Sequence, residues 1–207
     1  AEETTSKPVE WTSQDGEYSY AITVRYSNKA QVRARNVIIT EQEAETITKD
    51  EALTSLEASG RPFFTDDLTD EALAQISAPL GEAVYRKHAL TFSAGESADN
   101  QVETTVNLVV VRNESVYAQD RQFAVYAKDV RLTLPEAAAL TDEKDLAAYT
   151  EATTIFADDR ENVLPDVSAE AFAAIQQATE DELLKNVSTG YRYAIADQLA
   201  EKTVNVV

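Results

Sequence analysis

The chain has 207 residues, 43% of them hydrophobic, with no Cys, no Met and a single His, enough for one large or two small globular cores. Its 37 acidic against 18 basic side chains give a formal net charge of −19, a field that repels nucleic-acid phosphates and anionic lipid headgroups. The missing cysteines remove disulfides, thiol nucleophiles and thiolate metal ligands together, and no Gly-x-Gly-x-x-Gly or Walker-type loop occurs among the five glycines, which argues against nucleotide binding.

The longest apolar stretch, Val106 to Val111, is strand-sized, so no direct membrane insertion of this segment is expected. The opening Ala1-Glu2-Glu3-Thr4-Thr5, without Met, predicts a mature or excised segment rather than a primary translation product.

Residues 1–29 read as N-terminal strands. Trp11, Tyr18, Tyr20 and Tyr26 concentrate aromatics there, either to stack on a sugar or grip a protein, or to fill a small sandwich core, the reading we favour. Tyr18-Ser19-Tyr20-Ala21-Ile22 echoes Tyr191-Arg192-Tyr193-Ala194-Ile195, and each is followed by a Lys seven residues later. The echo predicts the closing hairpin of a truncated preceding copy.

From Val32 to Thr40 the sequence alternates with β-branched residues, predicting a strand. A helix follows, N-capped by Thr48 with Asp50 and Glu51 in its first turn and Leu53 and Leu56 on one face. Thr69-Asp70-Glu71 starts a second short helix with Leu73 and Ile76 inward. A hairpin, Ala89-Leu90-Thr91-Phe92 to Glu103-Thr104-Thr105-Val106, closes the unit. Residues 112–122 are an extra segment, either an added strand or a linker.

The same series then repeats. Val32 to Thr40 lies over Val125 to Thr133 at a shift of 93 positions, which also carries Glu43-Ala44 onto Glu136-Ala137, Thr48 onto Thr141, Leu53 onto Leu146 and Phe63 onto Phe156. After an insertion, Asp67 to Ile76 resumes over Asp166 to Ile175, and Thr105 to Val109 answers Thr203 to Val207. The second copy therefore predicts a strand from Ala124 to Leu134, a helix capped by Thr141 with Leu146 and Tyr149 inward, a helix capped by Ser168 with Phe172 and Ile175 inward, and a hairpin of Tyr191 to Ile195 with Lys202 to Val207.

A fixed internal period makes each copy one structural unit. Strands with polar turns at short spacing, and no βαβ rhythm, favour a sandwich over a parallel sheet. The expected fold is mainly β: residues 1–29 as N-terminal strands, one module at 30–117 and another at 118–207, each a small sandwich with short helices inserted.

The ordered motifs Ala127-Lys128-Asp129-Val130, Glu136-Ala137, Leu140-Thr141-Asp142-Glu143, Phe156-Ala157-Asp158-Asp159, Asp166-Val167-Ser168, Tyr191-Arg192-Tyr193 and the closing strand from Thr203 resemble the bacterial Ig-like repeats of Gram-positive cell-surface proteins. The resemblance covers residue 30 to the end and is weaker in the first copy, where Gly81 is displaced from the glycine that usually precedes the closing hairpin. It implies tandem Ig-like β-sandwich modules in a secreted or cell-wall-attached protein, serving as stalk or adhesin, and it brings no catalytic residue. Its implied partner is a protein or glycan of a host or neighbouring cell, with the segment itself monomeric and extracellular. The alternative is a carbohydrate- or protein-binding accessory module of a larger secreted enzyme. Cysteine-free chains suit the Gram-positive exterior but also occur in the cytosol.

Candidate chemistry is sparse. Asp66-Asp67 and Asp158-Asp159, with Asp70 and Glu161 nearby, are candidate calcium ligands because calcium takes six to eight oxygens from flexible carboxylates; the D-x-D-x-D-G loop is missing, and solvated loop acids are the ruling alternative. A Lys–Asn isopeptide bond would use Lys128 with Asn107 or Asn205, but Arg35 stands at the Lys128 position of the first copy. His88 has no Ser-His-Asp or Cys-His companion in view and reads as a surface or strand-edge histidine. A carboxylate pair for glycoside hydrolysis finds no cleft signature; a hydrolase would lose turnover on changing Asp66 or Asp159. No enzyme activity and no cofactor are expected.

Overall fold

The computed structural model describes residues 4–12, 19–27, 29–96, 100–181 and 184–207, the first two stretches by their backbone alone. The aromatic side chains of Trp11, Tyr18, Tyr20 and Tyr26 lie outside the described residues. The fold is mainly β, its strands gathered into several small sheets and interleaved with short helices.

Strand β1 (Thr4–Thr12) pairs antiparallel with β2 (Ser19–Ser27), from Thr4↔Ser27 to Thr12↔Ser19. Strand β2 runs on through Ile22 to Ser27, past the point at which the Tyr191–Ile195 segment turns into its partner strand.

The strand expected over Val32–Thr40 is split into β3 (Gln31–Arg33) and β4 (Val37–Thr40). The break comes from a change of partners: Arg35 N donates to the Leu56 carbonyl at 2.8 Å and the Asn36 side-chain oxygen accepts from Asn107 N at 2.8 Å. A strand that switches sheets must bend where its hydrogen bonds turn over. Thus β3 pairs antiparallel with β5 (Ser59–Arg61), while β4 runs parallel to β8 (Val102–Val111), Val37 facing Leu108.

Two helices connect β4 to β5. The first, α1 (Glu41–Glu45), carries a reciprocal cap between Thr40 and Glu43; at five residues it is too short to show a helical period, and the sequence does not announce it. The second, α2 (Lys49–Ser55), has the same box from Thr48 and Glu51, satisfying backbone N–H groups that the helix itself cannot. Then come β6 (Phe64–Asp66), α3 (Asp70–Ile76, capped by Thr69) and the hairpin of β7 (Tyr85–Ala94) with β8. The larger sheet runs β4-β8-β7-β6. Val37, Ile39, Ala52, Leu56, Leu68, Ile76, Leu90, Phe92, Leu108 and Val110 form one buried cluster under it.

The remainder comprises β9 (Val116–Tyr117), β10 (Phe123–Tyr126), α4 (Leu134–Ala139), α5 (Glu143–Thr150), β11 (Thr153–Phe156), β12 (Asp166–Val167), α6 (Ala169–Gln176), β13 (Val187–Ile195) and β14 (Gln198–Val206). Several hydrogen bonds of the first half have counterparts. Lys128 N donates to the Thr150 carbonyl as Arg35 N does to Leu56. Asp129 Oδ1 accepts from Asn205 N at 2.8 Å as Asn36 does from Asn107. Val130 bridges Val206 in the parallel sense in which β4 meets β8. Glu57 and Glu151, each just after a helix, both have positive φ, 49° and 53°.

Three sequence expectations shift. The strand over Ala124–Leu134 ends at Tyr126, leaving only the Val130 bridge. Asp142, not Thr141, caps α5, because the Thr141 N–H and hydroxyl are both taken by Asp145 Oδ2. Tyr149 does not face the core but stays 38% exposed. The extra segment supplies a strand rather than a linker: β9 pairs with β10.

Candidate functional site

A dense set of long-range polar contacts lies where residues 116–126 meet β4. The turn between β9 and β10 closes with Ala118 N on the Phe123 carbonyl and Arg121 N on the Ala118 carbonyl, and Arg121 sits at φ 59°. That left-handed backbone, uncommon for a non-glycine residue, aims the turn at β4: Ile38 N donates to the Arg121 carbonyl at 2.9 Å. The Arg121 guanidinium returns to Glu43, its two nitrogens reaching the two carboxylate oxygens at 3.0 and 2.8 Å, and stacks 4.4 Å from the Tyr117 ring centroid. A planar guanidinium does both at once, which an ammonium does not.

Around this fork, Arg35 Nη1 donates to the Asp120 carbonyl at 2.9 Å and Gln122 Nε2 to the Asn36 carbonyl at 2.8 Å. Arg35 Nε lies 2.8 Å from Glu57 Oε1; the N–H is not aligned on an acceptor, so this is a charge contact rather than a hydrogen bond. Burial alone would raise the Glu43 pKa, but hydrogen bonds from Arg121 and Thr40, with the Arg121 charge, outweigh it and hold the carboxyl below its ordinary 4.5. Beneath lies an apolar joint in which Ile38, Val109 and Val111 pack against Ala124, Tyr126, Ile155 and Ala157, all buried.

A groove of about 530 Å³ opens beside the joint, lined by Arg35, Val37, Glu43, Ile47, Glu57 and Arg121 among others. Its Arg35 and Arg121 side chains are paired with Glu57 and Glu43 and its Glu51 accepts from Thr48, so it offers hydrogen-bonding partners over an apolar floor. The sequence gives little sign of this site. Arg121 sits in the unmatched segment 112–122, and Glu43 stands out only as a repeat position matched to Glu136.

The calcium candidates do not converge. Asp66 Oδ1 lies 2.7 Å from Lys49 Nζ and accepts from Leu68 N, and Asp67 Oδ2 accepts from Thr91 N. Asp158 is chelated by Arg160, and Asp159 Oδ1 accepts from Asn107 Nδ2 at 3.1 Å. The two acidic pairs do not occupy matching places: Asp66 pairs with Phe92 across β6 and β7, whereas Asp158 follows β11. Among the described residues, no three His, Cys, Asp or Glu side chains come together in a metal-holding group.

The isopeptide candidates are likewise apart. Lys128 pairs with Glu151 where both side chains are nearly half exposed, the Asn107 amide donates to Asp159, and Asn205 Oδ1 accepts from Ser188. His88 stands half-buried on β7 beyond the end of the short β6, and its Nε2 has no hydrogen-bond partner among the described residues. Burial, helped by the Arg86 charge, pushes its pKa below 6.5. Among the described residues no helix is long and apolar enough to cross a membrane.

No family model matches the chain, and no curated protein matches it. Among solved structures, the crystal structure of protocadherin gamma C5 EC1-3 is similar at 10% identity over 98% of this chain and 76% of that one, with a TM-score of 0.24.

Proposed function

We propose that this chain is a non-enzymatic segment of a bacterial cell-surface protein, made of tandem Ig-like β-sandwich modules that act as stalk or adhesin outside the cell. The observation that carries the reading is the paired hydrogen-bond scheme: the contacts of Arg35, Asn36 and Val37 in the first half have counterparts at Lys128, Asp129 and Val130 in the second. A duplicated scaffold whose distinctive polar residues hold strands and caps in place has few left over for chemistry. The dry joint at Ile38 and Ile155 suits modules that carry position along a chain, with stability a sum of unit and interface terms.

A glycan array probed with this chain tests the proposal. A spacer is silent. Selective capture of one sugar class overturns the stalk reading in favour of an accessory binding module, for which the groove beside Arg35 and Arg121 is the place to look.

A further inference from the structure

We propose that residues 157–165 form a strap that locks the two halves into one rigid body; this deepens the stalk reading, on which its biological use rests. In the first half only Pro62 and Phe63 separate β5 from β6, whereas 157–165 separate β11 from β12. The added length leaves its own half and lies across the β7–β8 hairpin of the other.

Three side-chain hydrogen bonds fasten it there. Lys87 Nζ donates to the Asp158 carbonyl at 2.6 Å, Asn107 Nδ2 to Asp159 Oδ1 at 3.1 Å, and Asn162 Nδ2 to the Tyr85 hydroxyl at 3.0 Å. Tyr85 and Lys87 alternate along β7 and Asn107 stands opposite Ala89, so all three holdfasts share one face of the hairpin. Val109 and Val111, opposite Lys87 and Tyr85, bring that face into the apolar joint.

The strap is also shaped in advance. Arg160 Nε reaches both oxygens of Asp158 at 3.0 and 2.8 Å, its guanidinium lies 4.7 Å from the Phe156 ring centroid, and Thr154 N donates to the Val163 carbonyl. At its root, Ala157 N donates to the Gln122 carbonyl. Ordering a loop before it docks removes part of the entropy cost of docking. The chain that joins the halves has little slack, since Arg112 N donates to the Val84 carbonyl and Asn113 Oδ1 accepts from Gln42 N. Linked domains move relative to one another by default unless their interface is extensive; apolar joint, pinned linker and strap together remove that freedom.

The test is backbone ¹⁵N relaxation on the intact chain. The wild type is expected to give one rotational correlation time in both halves. N107D sets a carboxylate against Asp159, lifts the strap and gives each half its own shorter time, and N107D/D159N recreates the hydrogen bond with the roles exchanged and restores the shared value. K87A/N162A, which adds no charge, loosens the strap in the same direction and stands in if N107D fails to fold. Separate times in the wild type, an unchanged time in both N107D and K87A/N162A, or no rescue in N107D/D159N overturns the strap. A sugar captured on the array would sink the stalk reading and leave this measurement untouched.

Discussion

The hydroxyls of Thr150 and Tyr191 are joined at 2.8 Å inside the second half, where both residues are fully buried. The Thr150 hydroxyl donates to the Tyr191 oxygen and also lies 3.0 Å from the Leu146 carbonyl. Burial pushes the Tyr191 pKa up, with the hydrogen bond from Thr150 working against it. In the matching places the first half has Leu56 and Phe92, equally buried: one core closes with an apolar pair, the other with a polar one.

That exchange sets the first prediction. Y191F costs about 0.5–1.5 kcal/mol, because Thr150 keeps its backbone acceptor. T150V strands a buried phenol and costs more, about 1–3 kcal/mol. The double variant T150V/Y191F costs less than the two singles together. Urea unfolding of all four proteins measures the coupling; strict additivity contradicts the contact.

The fork between Arg121 and Glu43 is partly exposed, at 29% and 40% of the two side chains, so solvent screening limits its worth. R121A is expected to cost about 1 kcal/mol, and R121K to recover only part of it, since an ammonium cannot span both carboxylate oxygens. Denaturant midpoints at low and at 1 M salt check this. Full recovery in R121K would mean that charge alone suffices.

Acid weakens the fold in a defined order. His88 has a folded pKa below 6.5, so the unfolded chain binds the proton more readily; its contribution is complete above 6.5 and fades as pH falls through the lower folded value. Hydrogen bonds from Thr48, Thr133 and Thr141 hold Glu51, Glu136 and Asp145 below their ordinary 4.5, 4.5 and 3.8, and the Arg160 bond does the same for Asp158. These depressed carboxylates stabilise fully above their ordinary values and lose that contribution as pH drops through the folded ones. Thermal midpoints from pH 8 to pH 3 are expected to sag slightly below 6.5 and steeply below 4.5. In H88Q the first sag disappears and the second stays.

Small-angle scattering on the intact chain is expected to give the profile of an elongated particle, with a radius of gyration above the roughly 17 Å of a compact chain of this length. A profile fitted by one sphere would contradict an end-to-end arrangement. An intact mass equal to that of the sequence is expected if Lys128, Asn107 and Asn205 remain unlinked, as their separate partners require.

Local chemistry was readable from the residues alone. Thr48, Thr69 and Ser168 stand where helices begin, because a hydroxyl followed by acidic residues satisfies backbone N–H groups wherever it occurs. Leu56, Ile76, Leu146 and Ile175 are buried as their spacing requires, and the β7–β8 and β13–β14 hairpins follow from alternation, although both are longer than the sequence suggests. Tertiary structure decided what depends on distant partners. The break between β3 and β4 exists because Asn36 meets Asn107, the cap of α5 moved to Asp142 because Asp145 claimed Thr141, and the role of Arg121 depends on Glu43, 78 positions away. Short-range patterns carry hydrogen-bonding needs and apolar periodicity, whereas the choice among many equivalent carboxylates and carbonyls is made only when the chain closes on itself.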